Sequence, residues 1–551
     1  MKSLKLVLVF LCLVMIITSC SKTANQGRLI PMDATMVIVI NAKSLSSKLS
    51  WDEIKQTSWY QAKSMDSNMS AWHKQLMSNP DITGIDSKAD FILFAIKNGK
   101  DGQVVFEGDI KDSKAFEAFN KHFDSTATVV KDGSMSYTNL KNKAVLGWND
   151  SKFVLVVNAP MKNNFNQMGN FQSDSTKQPA IPTTPVDLMP LCKKIFALSS
   201  DSSLYKNQKF AALVNEEGDV HFMANVGQIM KSASMGMLNM LKLDKYLEGN
   251  IITATLNFDN GKITVKQKNY AGKELTDIYK KYLGGSVNGD MLKNLPASDV
   301  AAAAAFHFKP EAITELIKLA GVDGLANMGL AQAGLTLDDF TKAMKGDFQF
   351  SVSGIKLKTD SMGGLSGKPD MSVVFAMSVN DKDAVDKLLN AMKKLPGGMS
   401  SNKDVVFKNT GQYLVIGSNQ QAVDNFLTGN KSAPAFTEKV KDHPTFVYVD
   451  IQMMMKAFQP VTRDSTQQKL FTLNQSMWDN LYMYGGEFSD GGYTANYEIN
   501  LMDKTTNSLK QLNKLIDQVY PLHEHKKHET MESMKDSTVS IQMNDPMPTP
   551  K

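Results

Sequence analysis

Apolar residues in this chain fall into two recurring patterns. Short runs of five to nine residues are apolar or alternate apolar with polar, as β-strands do. Between them, apolar residues recur three and four positions apart, as on one face of a helix. The first strand is Met36–Val37–Ile38–Val39–Ile40–Asn41, after Pro31–Met32–Asp33. A helical stretch follows, roughly Leu45 to Met77, with Trp51, Ile54, Trp59 and Trp72 as its apolar contacts. Next come the strands Asp90–Phe91–Ile92–Leu93–Phe94–Ala95 and Val104–Val105–Phe106–Glu107–Gly108–Asp109–Ile110, then a helix carrying Ala115, Phe116 and Phe119. Lys152 to Val157 and Asp219 to Asn225 are further strands, and Thr253 to Gln267 is a hairpin turned at Asn260–Gly261. Asn-Gly and Asp-Gly are favoured in tight hairpins because they tolerate positive φ.

The same order returns in the second half of the chain. Val300 to Phe308 answers the first strand, followed by helical stretches at Glu311 to Leu319 and Leu337 to Met344. Asp347 to Val352 and Val373 to Val379 answer the next two strands, and the helix after them carries Ala384, Val385, Leu388 and Leu389. Gln412 to Gly417, Thr445 to Asp450 and a hairpin turned at Asp490–Gly491 complete the series. Aspartates at the strand-to-helix turns, Asp112 and Asp381, are placed to cap the helices that follow. Six elements in one order point to internal duplication. Frequent hairpins and alternating strands predict an α+β fold: a tandem duplication of mostly antiparallel sheet with helices packed on one face. The halves span about 28–285 and 290–520.

The N-terminus has a different pattern. Lys2 and Lys5 precede an unbroken apolar run from Leu6 to Ile17. That run is shorter than the ~20 residues a spanning helix needs and has the length of a signal-peptide core. Ile17–Thr18–Ser19–Cys20 then resembles the lipobox of bacterial lipoproteins: an aliphatic residue, two small residues and a cysteine. The resemblance implies that residues 1–19 are a signal peptide and that Cys20 carries the lipid. Residues 20–27 would be a lipidated tether. Several acyl chains anchor a protein durably, where one gives only marginal binding. The tether has neither an aspartate beside Cys20 nor an acidic run. Relative to lipoprotein sorting patterns, this favours the outer membrane facing the periplasm.

Composition narrows the partners. Nearly all basic residues are lysine; Arg28 and Arg463 are the arginines, and the net charge is only +5. Arginine forks read phosphates and base edges, and lysines dispersed among carboxylates do not, so nucleic acid is rejected as a partner. Of the three cysteines, Cys12 lies in the signal core and Cys20 in the lipobox. Cys192 sits in the helix-like Leu191–Cys192–Lys193–Lys194–Ile195–Phe196 and reads as a buried apolar residue. Asn-, Ser- and Pro-rich residues 161–190, and Gly-rich stretches at 356–370 and 396–403, read as surface excursions. Residues 521–551 have almost no core-forming side chains and read as a disordered tail.

Several short motifs now combine: the Ser-Cys lipobox, Pro31–Met32–Asp33 before a strand, and Asn79–Pro80–Asp81–Ile82–Thr83–Gly84–Ile85–Asp86 before another. Leu335–Thr336–Leu337–Asp338–Asp339–Phe340 then leads to Gly346–Asp347. Together they resemble a lipoprotein family of Bacteroidetes-type gut and oral bacteria, known as a domain of unknown function. The resemblance covers most of the chain except the tail. It brings no activity and no functional residues.

A search for chemistry finds no HExxH and no P-loop. Gly367–Lys368 is followed by Pro369, which lacks the N–H a phosphate cradle would use. Gly364–Leu365–Ser366–Gly367 lies in a glycine-rich loop, not at a strand–helix elbow. Ser203–Leu204–Tyr205–Lys206 matches SxxK without its partner motifs. Glu216–Glu217 and Asp338–Asp339 read as turn and helix-start charges, and His221, His307 and His443 as structural or exposed residues. His523, His525 and His528, near Met531, Met534, Met543 and Met547, have donors that suit copper or zinc, but a flexible tail lacks groups to orient them. No catalytic, cofactor or metal residues are assigned. The expectation is a non-enzymatic binding or scaffold protein of the cell envelope, partnered by another envelope protein. Its alternatives are a carrier of an apolar ligand between sheet and helices, lined by methionine-rich helices such as Ile229 to Leu243, and an enzyme with an unfamiliar site; methionine stripes such as Met235, Met237 and Met240, and Met453–Met454–Met455, read first as core filling.

Overall fold

The strand-forming runs pair into one sheet in which each half repeats the same path. A computed structural model describes residues 27–65, 69–98, 101–123, 128–140, 144–159, 187–233, 244–296, 298–357, 367, 369–394, 405–430, 432–459 and 465–522. The first half supplies β1 (Met36–Ile40), β2 (Phe91–Asn98), β3 (Asp101–Asp109), β4 (Val129–Asp132), β5 (Met135–Leu140), β6 (Ala144–Trp148), β7 (Lys152–Asn158), β8 (Val220–Asn225), β9 (Ile251–Asp259) and β10 (Lys262–Tyr270). The second half supplies β11 (Val300–His307), β12 (Met344–Lys356), β13 (Asp370–Val379), β14 (Val406–Asn409), β15 (Tyr413–Gly417), β16 (Thr445–Asp450), β17 (Trp478–Ser489) and β18 (Gly492–Leu501).

From one edge to the middle the order is β4, β5, β6, β7, β3, β2, β1, β8, β9, β10. It continues β18, β17, β16, β11, β12, β13, β15, β14 to the other edge. Every ladder is antiparallel. Read outward from the centre, the two halves use corresponding strands in the same order. The first half adds only the β4–β5 hairpin at its edge. The halves share one continuous sheet because β10 pairs with β18. Asp490 (φ 47°) and Gly491 (φ 77°) turn one central hairpin, and Gly261 (φ 68°) the other.

One face of this sheet is packed. In the first half Val37, Val39, Phe94, Val105, Val154 and Val156 meet α2 (Met189–Phe196) and α3 (Gln208–Asn215) through Cys192, Ile195, Phe210 and Leu213. In the second half Val374, Ala376 and Val415 meet Ala422, Val423 and Phe426 of α7 (Gln420–Thr428). The class is therefore α+β, as the patterning predicts. A further helical layer covers the outer parts of the opposite face. There α1 (Ser113–Phe123) brings Phe116 onto Leu146 and Phe153. Helices α5 (Leu337–Ala343) and α6 (Lys382–Lys394) bring Ala343, Val385 and Leu388 onto Met377 and Leu414.

The helical stretch read at 45–77 divides into four short helices: Ala42–Lys48, Trp51–Lys55, Ser58–Ser64 and Ala71–Ser78. Ser50 and Ser70 interrupt it because each side chain accepts a backbone N–H at a new helix start. A further helix, Asp323–Gln332, lies between the two expected after β11. Cys20 and the tail residues His523, His525 and His528 lie outside the described residues.

Candidate binding sites

The register of the ladders defines rows that cross the whole sheet, and the rows of its two faces differ. On the face opposite the main core, one row reads Phe91, Ile40, Val220, Leu256, Val265, Tyr497, Met483, Val447, Ala304, Phe350, Phe375, Ile416, Phe407. It crosses thirteen strands, about 60 Å at the usual strand spacing. None of these side chains is fully buried, and Phe350 is 38% exposed. Phe306, 37% exposed, stacks on Phe348 at 5.0 Å, and Phe308 stacks on Phe348 at 5.3 Å. On the packed face, by contrast, Phe94, Val105, Val154 and Val156 are fully buried. At the second-half edge Phe375, Ile416 and Phe407 pack against the cluster that holds Val385 and Leu388, so the less covered part of the row runs from Ile40 to Phe350.

Two equivalent helices stand at one end of these strands: α4 (Val226–Ala233) after β8 and α8 (Ile451–Phe458) after β16. Asn225 caps the first by accepting the Gln228 N–H at 3.0 Å, and Asp450 caps the second by accepting the Met453 N–H at 2.8 Å. Helix α8 approaches β11, β12 and β17, and Met453, Met454 and Met455 are all half-buried. The matching methionines after α4, Met235, Met237 and Met240, lie outside the described residues.

The packed face carries a polar cleft in the first half, with a volume of about 490 Å³. Three of its lining residues, Glu107 on β3, Ile92 on β2 and His221 on β8, stand in one row of the sheet, in which the buried Val39 of β1 separates Ile92 from His221. Asp109, Lys152, Val214, Glu216 and Glu217 also line the cavity, as do Lys43, Lys88 and Asp90. Glu107 is 4% exposed and its Oε2 has no hydrogen-bond partner. Burial pushes its pKa up to about 7, with Lys152 pulling it down and Asp109 adding to the rise. His221 is 5% exposed; its Nε2 lies 2.9 Å from the Glu216 carbonyl and its Nδ1 is unpartnered. Glu216 accepts the Thr255 hydroxyl at 2.9 Å and pairs with Lys266 at 3.3 Å.

The corresponding second-half row reads Ala376, Gln349, Ala305, Phe446, with no titratable group. Near it Asp347 is engaged by His307 Nδ1 at 2.7 Å and Asn288 Nδ2 at 3.1 Å. Burial opposes the charge of Asp347, yet hydrogen bonds from Asn288, His307 and Ser378 hold its pKa below the usual carboxylate range. A separate cleft of about 370 Å³ opens between β12, β13 and α7, lined by Ser351, Ser353, Ser372 and Asn425.

The remaining sequence candidates are structural. Ser203 is fully buried, donates to the Ser199 carbonyl at 2.7 Å and accepts from Arg28 at 3.2 Å. Asp339 closes a capping box with Thr336. His443 pairs with Glu487. Glu107 drew no attention in the sequence, although a signal was present. Val104, Val105 and Phe106 are apolar on both strand faces, so both faces are covered and a carboxylate next in line is buried. Val220–His221–Phe222 repeats that signal. Among the described residues no group of three or more His, Cys, Asp or Glu is arranged to hold a metal ion. Nor is any helix among them long and apolar enough to cross a membrane.

The fold is that of an α+β protein whose two halves repeat one strand path in a single antiparallel sheet. The chain belongs to the family described as "Domain of unknown function (DUF4836)", whose model matches residues 27–413. No curated protein matches it. A solved structure described as "Structure of crystal form I of TP0453" is similar at 9% identity and a TM-score of 0.19, over 44% of this chain and 79% of that one. No feature is carried over from that structure.

Proposed function

We propose that this chain is a non-enzymatic binding protein of the cell envelope. In this reading lipid on Cys20 holds it at the outer membrane, facing the periplasm, and it carries an apolar ligand on the open face of its sheet. The observation that supports the carrier reading is the apolar row from Ile40 to Phe350, in which every side chain is half-buried except Phe350, which is exposed. Covering each apolar Å² contributes roughly 25 cal/mol. A face of this size therefore gives an acyl chain a favourable alternative to water without any specific contact.

The test uses the chain from residue 20 onward with Cys20→Ser, produced in the periplasm of a bacterial host. Native mass spectrometry and organic extraction would read any co-purified lipid, and displacement of a fluorescent fatty acid would read affinity. Bound lipid, weakened at least tenfold by Leu256→Lys, supports the reading. A lipid-free chain that does not bind the probe overturns it, and assigns the face to another envelope protein captured by crosslinking in membranes.

A further inference from the structure

The two halves repeat one strand geometry, so each position on the packed face has a counterpart that shows what the fold places there. In the first half Phe94 pairs with Val37 and Val105, and Ile96 with Gln103. In the second half Ser351 pairs with Ala303 and Val374, and Ser353 with Ser372. Ser351 therefore stands where Phe94 stands, and Ser353 where Ile96 stands. Phe94 and Ile96 belong to the first-half core, at 0% and 7% exposed. The serines occupy far less space, and both line the cleft of about 370 Å³ between β12, β13 and α7.

Register fixes the direction of these side chains. Residues directly opposite each other on paired strands project from the same face. Val374 packs on Ala422, Val423 and Phe426 of α7, so Ser351 beside it also projects toward α7. Ser353 and Ser372, two residues along each strand, do the same. Ser351 is 2% exposed and Ser353 8%, and neither hydroxyl bonds to another described residue. Gln349, two residues earlier on the same face, has its amide sealed from solvent without a partner; the serine hydroxyls are not sealed in this way. On α7, Asn425 accepts the Gln421 amide at 2.7 Å through Oδ1, and its own N–H groups have no partner among the described residues. No charged side chain is among the described residues that line the cleft.

We propose that this cleft binds a neutral sugar, a mono- or disaccharide. Serine hydroxyls both donate and accept, and the amide nitrogen of Asn425 donates. The hydroxyls of a sugar match this mixed set because they also do both. They take the place of cleft waters and keep the hydrogen bonds those waters would make. Val374 and Ala422 give the C–H groups of the ring an apolar contact. The volume is at the low end of the range for small-molecule sites, about 300–1,000 Å³. An ion would leave water for a cleft with no opposite charge, which is unfavourable. An acyl chain would leave the serines unpaired, so this site is distinct from the apolar row on the opposite face.

The experiment is isothermal titration calorimetry of the Cys20→Ser chain with glucose, galactose, N-acetylglucosamine, lactose, maltose and chitobiose. Glucuronate, glucosamine and inorganic phosphate are the charged controls. The expected result is one saturable site for a neutral sugar at millimolar concentration or below, insensitive to added salt because no charge is paired. Ser353→Ile installs the first-half residue and fills the cleft. It should fold without loss of thermal stability and weaken that sugar at least tenfold. Ser351→Ala removes one hydroxyl without adding volume and should weaken the sugar about three- to tenfold, which reads the site even where Ser353→Ile does not fold. Leu256→Lys, on the apolar row, should leave sugar binding unchanged, so failure here is distinct from failure of the carrier reading. The proposal is overturned if no neutral sugar binds saturably, if a charged control binds more tightly, or if a folded serine variant binds as tightly as wild type.

Discussion

Lys266 and Asn496 face each other at the centre of the β10–β18 ladder, and each stands five residues beyond the glycine that turns its own hairpin, Gly261 and Gly491. Equivalent residues of the two halves therefore meet across a local two-fold axis, as in an isologous dimer interface. Outward from that pair the packed-face rows run in step: Thr255 and Tyr484, His221 and Phe446, Val39 and Ala305, Ile92 and Gln349, Glu107 and Ala376. The duplicated halves keep the same geometry and have diverged in chemistry. The first half holds the titratable cleft, and the second a row of small and aromatic residues interrupted by the buried Gln349.

The join between halves also carries charge. Glu498, 7% exposed, takes Lys262 of the first half at 3.3 Å, Lys439 of the second, and Asn500 at 3.0 Å. Burial alone would raise its pKa, but hydrogen bonds from Lys439 and Asn500, with the charges of Lys439 and Lys262, hold it below the usual range. A depressed carboxylate stabilises the fold above its unfolded pKa and loses that contribution as pH falls. Glu498→Gln should therefore cost about 1 kcal/mol at pH 7, discounted because both lysines are partly exposed. The difference should shrink as pH drops below about 4.5. Urea unfolding at pH 7 and pH 4 reads both values. An equal loss at the two pH values would mean the side chain acts by packing alone.

Glu107 gives the opposite sign. Its folded pKa near 7 lies above the unfolded carboxyl value of 4.5. The protonated form is favoured in the fold, so its contribution is complete below pH 4.5 and is lost as pH rises through 7. At about 1.4 kcal/mol per pKa unit, wild type should lose on the order of 3 kcal/mol from this group between pH 4.5 and 8. Glu107→Gln should remove that loss and be the more stable protein at pH 8. Parallel stability curves for wild type and variant across this range would show that Glu107 is ionised and partnered in the fold.

How much of this was legible depends on whether the signal was local. The apolar run Met36–Ile40, the strand–turn–helix at Asp109–Ser113 and the Asp490–Gly491 turn are encoded within a few residues, and all are found. Cys192 sat in a helical context with apolar neighbours and is buried. The strand neighbours are a different matter. Nothing in Lys262–Tyr270 says that its partner is Gly492–Leu501, because pairing is set by which faces must be covered once all strands exist. The cleft is hidden for the same reason. Glu107 and His221 are far apart in sequence and come into one row only through β2 and β1.

Cys192 offers a separate test of the packed face. It is fully buried, and burial pushes its thiol up to about 12. A β-carbon at Gly147 would lie 2.7 Å from its sulfur. In the folded Cys20→Ser chain this thiol should be inert to a disulfide reagent at pH 8 and react only at the rate of unfolding. Gly147→Ala should cost about 1–3 kcal/mol by overpacking and speed labelling in proportion. Rapid labelling of native protein would show that α2 opens locally over β6.

The motifs behind the family likeness include two glycines whose roles are now physical. Gly84 (φ 70°) ends a turn of 3₁₀ helix, and its carbonyl accepts the N–H groups of Lys111 at 2.8 Å and Asp112 at 3.0 Å. A β-carbon there would lie 2.2 Å from the Asp112 carbonyl oxygen. Gly346 (φ 102°) accepts the Phe308 N–H at 3.0 Å, and its β-carbon would lie 1.8 Å from the Phe308 oxygen. Gly133 (φ 61°) has the same handedness with open space around it. Gly133→Ala should therefore cost only the left-handed strain, about 1 kcal/mol. Gly84→Ala and Gly346→Ala should each cost more than about 2 kcal/mol, since backbone must move as well. Urea midpoints of the three variants decide it. If Gly346→Ala matched Gly133→Ala, the close approach of β11 to the start of β12 would not be what requires glycine there.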